Sequence, residues 1–245
     1  MLDKNLAEQA AAKGGAATAR AATKRPPKID RRKAPQTKTR ILDAAEALFA
    51  QRGFDGVSLR DIAQRAGVQL ALTHYHCGAK EDLFRAVVDR RAADHVRSLR
   101  EALEAAIAAS SGVPPSPEAI VRAFLSPILR RWADGGPGWK NYVQLLARVA
   151  NQPQTESFQA PVNEHYDNVV RAYVAQIQRS QPGQDAADMH WGFYFLQTAI
   201  THILLETGVA DRQSNGLCQT RDVEHVLNHA TRFFAAGFRH MQPGA

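Results

Sequence analysis

Residues 73–77 read Thr-His-Tyr-His-Cys, and two histidines beside a cysteine are residue types that could bind a metal ion or sense redox state. On an α-helix successive residues are rotated by about 100°, so His74 and His76 would lie on nearly opposite faces and could not share one ion. Only a strand, with its period of two, would align them. His74 and Cys77 would lie on adjacent helical turns, but two ligands make no structural zinc site. The chemistry of this stretch therefore depends on the element that carries it.

The segments before this stretch have the periodicity and the end signals of helices. Apolar residues at helical spacing begin at Thr37 and predict a first helix, which Gly53 ends. Ser58 followed by Asp61 is the signature of a capping box and predicts the start of a second helix. Gly67 ends that helix after two turns.

The stretch itself falls in a third, short helix predicted over 69–76. Gly78 ends it, and a long linking helix is predicted over 80–109. Two short helices joined by a tight glycine turn, with another helix behind them, indicate a helix-turn-helix unit. Its second helix can project into the major groove of DNA.

The remainder of the chain predicts further helices and contains no strand-like alternation of useful length. Two long helices close the sequence, at about 185–207 and 221–239. We expect an all-α protein with a small helix-turn-helix domain over 36–82 and, over 83–245, a linking helix followed by a larger helical bundle.

Residues 1–35 form a basic tail that carries +6 of the net charge of +7. The tail lacks aromatic residues and is rich in alanine, lysine and arginine, so it cannot bury enough apolar area to offset its ordering entropy. We predict that it is disordered. It could add phosphate contacts beside a DNA-binding module, or be a solvated extension without a specific role.

Several functional classes lack support in the sequence. No run of 18 apolar residues or apolar signal region is present, and the two cysteines form no CxxC pair, which favours a reducing cytoplasm. We find no GxSxG, P-loop, HExxH or GxGxxG motif, and therefore expect neither an enzyme nor a cofactor. His225 and His229 have the i, i+4 spacing of two metal ligands, but no third ligand is evident, so solvated side chains are the simpler interpretation.

Residues 39–91 resemble the N-terminal DNA-binding domain of the TetR family of bacterial transcriptional regulators. The segments ILDAAEALFAQRGF, SLRDIAQRAGV, and YH followed by GAKEDLF match that family in order and spacing. The resemblance implies a cytoplasmic, nucleoid-associated homodimer that binds a palindromic operator and is released by a small effector. In the C-terminal half, LLARVANQP, the Trp191–Leu205 helix and FFAAGFR resemble the subgroup that includes fatty-acid-responsive repressors, which favours an apolar or acyl-type effector.

The resemblance also assigns DNA contacts to particular residues. Arg60 matches a position that reaches a base edge, and Gln69 is suited to adenine. Lys80 begins the linking helix, whose N-terminal dipole favours a phosphate. The alternatives for Arg60 and Tyr75 are a surface ion pair and a packing aromatic. The full set comprises Thr37, Thr39, Arg60, Gln69, Leu70, Ala71, Tyr75, His76 and Lys80.

Cys77 occupies a position where the family usually has a larger buried side chain. We interpret it as a small core residue that leaves looser packing under the recognition helix. A redox-sensing thiol is the alternative, although nothing in the sequence argues for the lowered pKa that such a thiol needs.

For the C-terminal half, the resemblance implies dimerisation through the last two long helices and an apolar pocket between bundle helices. Arg148 is a candidate anchor for a carboxylate or another anion. Each candidate could instead be plain core. The candidates are Phe124, Ile128, Tyr142, Leu145, Arg148, Val149, Val169, Tyr173, Trp191 and Phe195.

Two other functions use the same fold. A DNA-binding architectural or division-linked protein would need no small ligand and would have a solidly packed bundle. A helical lipid or acyl carrier would use the pocket alone and would retain no palindromic DNA.

Overall fold

The computed structural model describes residues 34–151 and 156–241, and residues 1–33 of the tail predicted over 1–35 lie outside them. Within those ranges the chain is helical and has no strand, as the apolar spacing predicts. Its helices are α1 (Ala34–Arg52), α2 (Leu59–Ala66), α3 (Leu70–Cys77), α4 (Lys80–Ala109), α5 (Pro117–Asp134), α6 (Gly136–Ala150), α7 (Glu156–Ser180), α8 (Ala186–Leu204), α9 (Val209–Gln213) and α10 (Val223–His240).

The helix ends in the first part of the chain follow from local chemistry. The Ser58 hydroxyl accepts a hydrogen bond from the amide of Asp61, and the Asp61 carboxylate accepts one from the amide of Ser58. This reciprocal pair is the predicted capping box. Helix α1 begins at Ala34, three residues earlier than predicted. The last two residues assigned to the tail are therefore helical. The short helix α9 was not predicted.

The turn between α2 and α3 requires glycine. Gly67 has a φ of 62°, and a Cβ there would lie 2.8 Å from the Arg40 guanidinium. The amide of Val68 donates to the carbonyl of Ala63 across this turn, which closes a Schellman motif. The Val68 side chain packs against the core below.

Two apolar cores hold the helices. The first lies among α1, α2 and α4, and it also contains Leu145 and Val149 of α6. The second lies among α4, α5, α6, α7, α8 and α10. Since α4 contributes to both cores and α6 reaches the first, the small N-terminal unit and the bundle are joined by more than a linker. No helix in the described part of the chain is long and apolar enough to cross a membrane.

Candidate nucleic-acid interface and internal cavity

The face of α3 that is turned outward carries the side chains expected to read DNA. Thr73 is fully buried, whereas Tyr75 is 67% exposed, and this contrast fixes the orientation of the helix. Gln69 and Ala71 are exposed, and Leu70 is 41% exposed, so the N-terminal part of α3 is open to a ligand. His76 is half-buried, and its ring meets that of Tyr75 edge-on at 5.1 Å.

The Thr-His-Tyr-His-Cys stretch is helical, as predicted. His74 is exposed, while Cys77 is partly buried and packs against the N-terminal core. Across residues 34–151 and 156–241, no three histidine, cysteine or acidic side chains are grouped as a metal site would require. The ring centres of His225 and His229 lie 4.2 Å apart on one face of α10. Among the described residues these two histidines have no third ligand beside them.

Arg40 is a positioning residue that the sequence reasoning missed. Its guanidinium donates to the carbonyls of Ala66 at 2.5 Å and Gly67 at 3.1 Å. These carbonyls end α2 and have no partner within that helix. Arg40 therefore fastens α1 to the turn that sets the angle of α3. A single arginine in an exposed helix turn gives no sequence signal for such a long-range contact.

The remaining DNA candidates surround α3 at the ends of neighbouring helices. Arg60 is exposed in the first turn of α2, and Thr37 is half-buried in α1. The hydroxyl of Thr39 donates to the carbonyl of Pro35 at 3.0 Å. Lys80 donates to the carbonyl of Phe54 at 3.1 Å, and its ammonium lies 4.0 Å from the centre of the Phe54 ring. Lys80 thus has a structural role whether or not it also contacts a phosphate.

A cavity of about 130 Å³ lies between the helices of the bundle and is partly open to the surface. Of the predicted ligand contacts, it includes Phe124 and Ile128. Most of its lining is apolar, and helices α4 to α8 contribute to it. The lining residues are His95, Leu99, Phe124, Ile128, Leu146, Ala147, Ala150, Val162, Tyr166, Val170, Gln197, Ile200, Thr201 and Leu204.

The other predicted ligand contacts lie elsewhere in the molecule. Arg148 donates from its Nε to the main-chain carbonyl of Ala50 in α1, so its guanidinium is directed to the N-terminal unit. Trp191 and Phe195 are 57% and 52% exposed on the outside of α8, with their rings stacked 5.7 Å apart. The rest are buried without lining the cavity: Tyr142, Leu145, Val149, Val169 and Tyr173.

A chain of hydrogen bonds begins at two polar residues of the cavity wall, His95 and Tyr166, and continues into the protein behind them. The Nδ1 of His95 lies 2.8 Å from the hydroxyl of Tyr166, which lies 3.1 Å from the hydroxyl of Tyr142. The Tyr142 hydroxyl donates to the carbonyl of Val88 at 3.3 Å. Burial, together with the nearby charge of Arg131, lowers the pKa of His95 to about 3, so the imidazole is neutral. Burial also raises the pKa of both tyrosines, which therefore stay protonated.

Helices α8 and α10 both carry aromatic side chains that are exposed in the protomer, and these together are called the aromatic surface. Phe233 of α10 is 74% exposed, and Tyr194 of α8 is 57% exposed beside Trp191 and Phe195. A Cβ at Gly237 would meet nothing within 4 Å, so this part of α10 also faces open space. The rings of Trp191, Tyr194 and Phe195 contact one another, and clustered exposed apolar side chains mark an interaction site more often than a solvated face.

The capped α2, the tight Gly67 turn and the outward face of α3 define a helix-turn-helix DNA-binding protein with a helical C-terminal domain. Comparison with known sequences agrees with both parts. Residues 41–87 match the family described as "Bacterial regulatory proteins, tetR family", and residues 122–237 match "Tetracyclin repressor-like, C-terminal domain". The chain belongs to the TetR family of bacterial transcriptional regulators.

Individual relatives are similar in sequence over a part of the chain and in structure over most of it. The HTH-type transcriptional repressor Rv3405c of Mycobacterium tuberculosis is 45% identical over 67 residues, which span 26% of this chain and 36% of that protein. A TetR-like regulator from Rhodococcus sp. RHA1 has a TM-score of 0.52 at 22% identity, covering 82% of this chain and 96% of that one. The fatty acid degradation regulator FadR from Bacillus halodurans has a TM-score of 0.56 at 14% identity, covering 81% and 98%. At these identities the two structures show a shared fold.

Proposed function

We propose that this protein is a dimeric repressor that binds a palindromic operator and is released from it by a small effector. The position of α6 is the observation that supports control by a ligand. Leu146 and Ala147 of α6 line the cavity, while Leu145 and Val149 of the same helix are buried in the core of the DNA-binding unit. A ligand that displaces α6 therefore also displaces residues packed against α1 and α4.

The proposed DNA contacts divide into two groups. Arg60, with Gln69, Leu70 and Ala71, would reach base edges in the major groove, where arginine suits guanine and glutamine suits adenine. The second group would hold phosphates and fix the register of α3 on the duplex. It comprises Thr37, Thr39, Tyr75, His76 and Lys80. In this scheme residues 36–82 form the DNA-binding domain and 83–245 the effector and dimerisation domain.

The aromatic surface of α8 and α10 supports the proposed dimer. Trp191, Phe195 and Phe233 are exposed in the protomer, and a second copy related by a two-fold axis would cover them. Two recognition helices about 34–36 Å apart would then face one side of the duplex. A homodimer of this kind bound to operator DNA would be associated with the nucleoid. The basic residues over 1–35 would add phosphate contacts.

Release would be a shift between two populated geometries of the dimer. An effector bound better by one geometry tilts α4 and changes the separation of the two recognition helices. Reciprocity requires that operator DNA weaken effector binding by the same factor.

The size of the cavity bears on the effector. The cavity is smaller than the roughly 300–1,000 Å³ of pockets that hold drug-sized ligands, which favours a compact apolar effector over a long acyl chain. Its presence also argues against the architectural alternative, which needs no ligand.

Selection of genomic fragments by the purified full-length protein at moderate salt tests this proposal. We expect enriched fragments to share an inverted repeat whose half-sites are about one helical turn apart, since a dimer reads both. Enrichment that depends on charge alone, without a shared repeat, would contradict operator recognition. Once an effector is found, equal affinity for it with and without operator would contradict the release mechanism.

A further inference from the structure

His95 is a buried polar residue whose hydrogen bonding is incomplete. It is 1% exposed, it is one of the residues that line the cavity, and its Nε2 has no hydrogen-bond partner among the described residues. Buried polar atoms in native proteins nearly always have partners, so one left open beside a cavity indicates where a ligand group belongs.

The hydrogen-bond chain determines which proton the ring carries. Since a carbonyl can only accept, the Tyr142 hydroxyl uses its single proton on Val88. The Tyr166 hydroxyl must then donate to Tyr142, which leaves its oxygen to accept from Nδ1–H of His95. The opposite direction would forfeit the bond to Val88. The arrangement that makes all three bonds leaves Nε2 unprotonated, as an acceptor.

We infer that the effector cavity selects a compact, neutral, largely apolar molecule with one hydroxyl or N–H group, which donates a hydrogen bond to Nε2 of His95. This inference rests on the proposed function and names the chemical class of its effector. The imidazole of His95 is neutral because its pKa is lowered to about 3, so it offers a lone pair and no positive charge to a carboxylate.

The rest of the wall fits the same class of ligand. The cavity of about 130 Å³ is close to the roughly 150 Å³ that holds benzene in an engineered protein cavity. The Thr201 hydroxyl accepts from Asn151 and donates to Thr198, so it has little capacity left for a ligand. Among the described residues, no lysine or arginine lines the cavity, and Arg148, the anchor expected for an anion, binds Ala50.

Three probes of matched ring size test this inference by calorimetry on the full-length protein. Phenol carries the donor, anisole has it methylated, and benzoate replaces it with a negative charge. We expect phenol to bind about tenfold more tightly than anisole, the factor that one buried hydrogen bond supplies, and benzoate to bind more weakly than both. Equal affinity for phenol and anisole, tighter binding of benzoate, or no binding of any probe at millimolar concentration would overturn the inference.

Two further measurements separate His95 from its surroundings. The nitrogen NMR shifts of the ring should show Nδ1 protonated and Nε2 unprotonated in the free protein, and a protonated Nε2 would overturn the inference. The variant His95→Phe should lose the preference for phenol over anisole while keeping affinity for the ring. If that variant does not fold, the probe series and the NMR measurement on the unmodified protein still decide the question.

Measuring operator affinity in the presence of each probe tests the proposed release mechanism separately from the cavity chemistry. Selective binding of phenol without any change in operator affinity would support the cavity chemistry and contradict the proposed release mechanism. Equal binding of phenol and anisole, with both weakening operator affinity, would support release and overturn the inferred donor.

Discussion

The Nε of Arg91 in α4 lies 2.7 Å from the carboxylate of Glu46 in α1, and the Glu46 side chain is only 2% exposed. A second bond runs from the same guanidinium to the other carboxylate oxygen at 3.3 Å. The Arg91 guanidinium also lies 5.0 Å from the ring centre of Trp139 in α6. One arginine thus connects the DNA-binding unit, the linking helix and the helix that borders the cavity.

Replacing Arg91 with methionine should destabilise the fold because it leaves a buried carboxylate without its partner. We expect a loss of about 3–5 kcal/mol in the free energy of unfolding near pH 7. The measurement is urea denaturation followed by circular dichroism. A double variant, Arg91→Met with Glu46→Leu, removes both charges and should recover most of the loss. Equal destabilisation in the single and double variants would contradict a role for the charge.

The difference in the free energy of unfolding between the Arg91→Met variant and the unmodified protein should become smaller as the pH falls. Burial already raises the pKa of Glu46 above its ordinary value of 4.5, and Arg91 opposes that rise. Without Arg91 the pKa rises further, so the folded variant binds a proton that the unfolded chain does not hold. Between 4.5 and the raised pKa, stability therefore increases with acidity. A difference from the unmodified protein that stays constant down to about pH 5 would contradict this assignment.

DNA-binding variants should separate base reading from phosphate contact. Arg60→Ala should lower operator affinity by about 1–3 kcal/mol and relax specificity at one base pair, with little effect on unrelated DNA. Tyr75→Phe removes one exposed hydroxyl and should weaken binding to all sequences alike. Lys80→Ala should do the same, but it also removes the bond to Phe54 and requires a check of stability. Binding curves on the operator and on scrambled DNA test both groups. A uniform loss for Arg60→Ala would remove its base contact.

Local signals were sufficient for the DNA-binding unit and insufficient for the bundle. Ser58, Asp61 and Gly67 act on their immediate neighbours, so their spacing predicts α2 and its turn.

The contacts of the bundle depend instead on residues far apart in the chain. Arg148 contacts Ala50 across 98 positions, and no pattern within α6 indicates that partner. An apolar helix face such as that around Phe195 has the same spacing of residues whether it lines a ligand cavity or contacts a second subunit. Its sequence therefore does not distinguish these two roles. His95 is a lone histidine in an apolar stripe, and the Tyr166 and Tyr142 partners that define its role lie on other helices.

Charges placed on the exposed aromatic surface should prevent dimerisation. Phe195→Glu and Phe233→Glu add a carboxylate where a second protomer would bury an aromatic ring. Both side chains are exposed in the protomer, so its own fold should persist. Val113→Glu is a matched control, because Val113 is 66% exposed in the connection between α4 and α5, outside both helices. Light scattering after size exclusion reports the mass. A dimer that withstands both substitutions at micromolar concentration would place the interface elsewhere.

The two cysteines should differ in reactivity, which addresses the redox interpretation of Cys77. Burial raises the pKa of the Cys77 thiol, and the charge of Lys38 only partly offsets that rise. The thiolate is the reactive form, so Cys77 needs a higher pH than an ordinary thiol to reach the same reactivity.

Cys218 is exposed and serves as the comparison thiol. In the variants Cys77→Ser and Cys218→Ser, iodoacetamide should therefore alkylate the remaining Cys218 faster than the remaining Cys77 at pH near 8. Because burial raises the pKa of Cys77, the rate at Cys77 should still be rising with pH above the range in which an ordinary thiol is fully ionised. Faster alkylation of Cys77 at neutral pH would favour a redox-sensing thiol, whereas the expected order leaves Cys77 as a packing residue beneath the recognition helix.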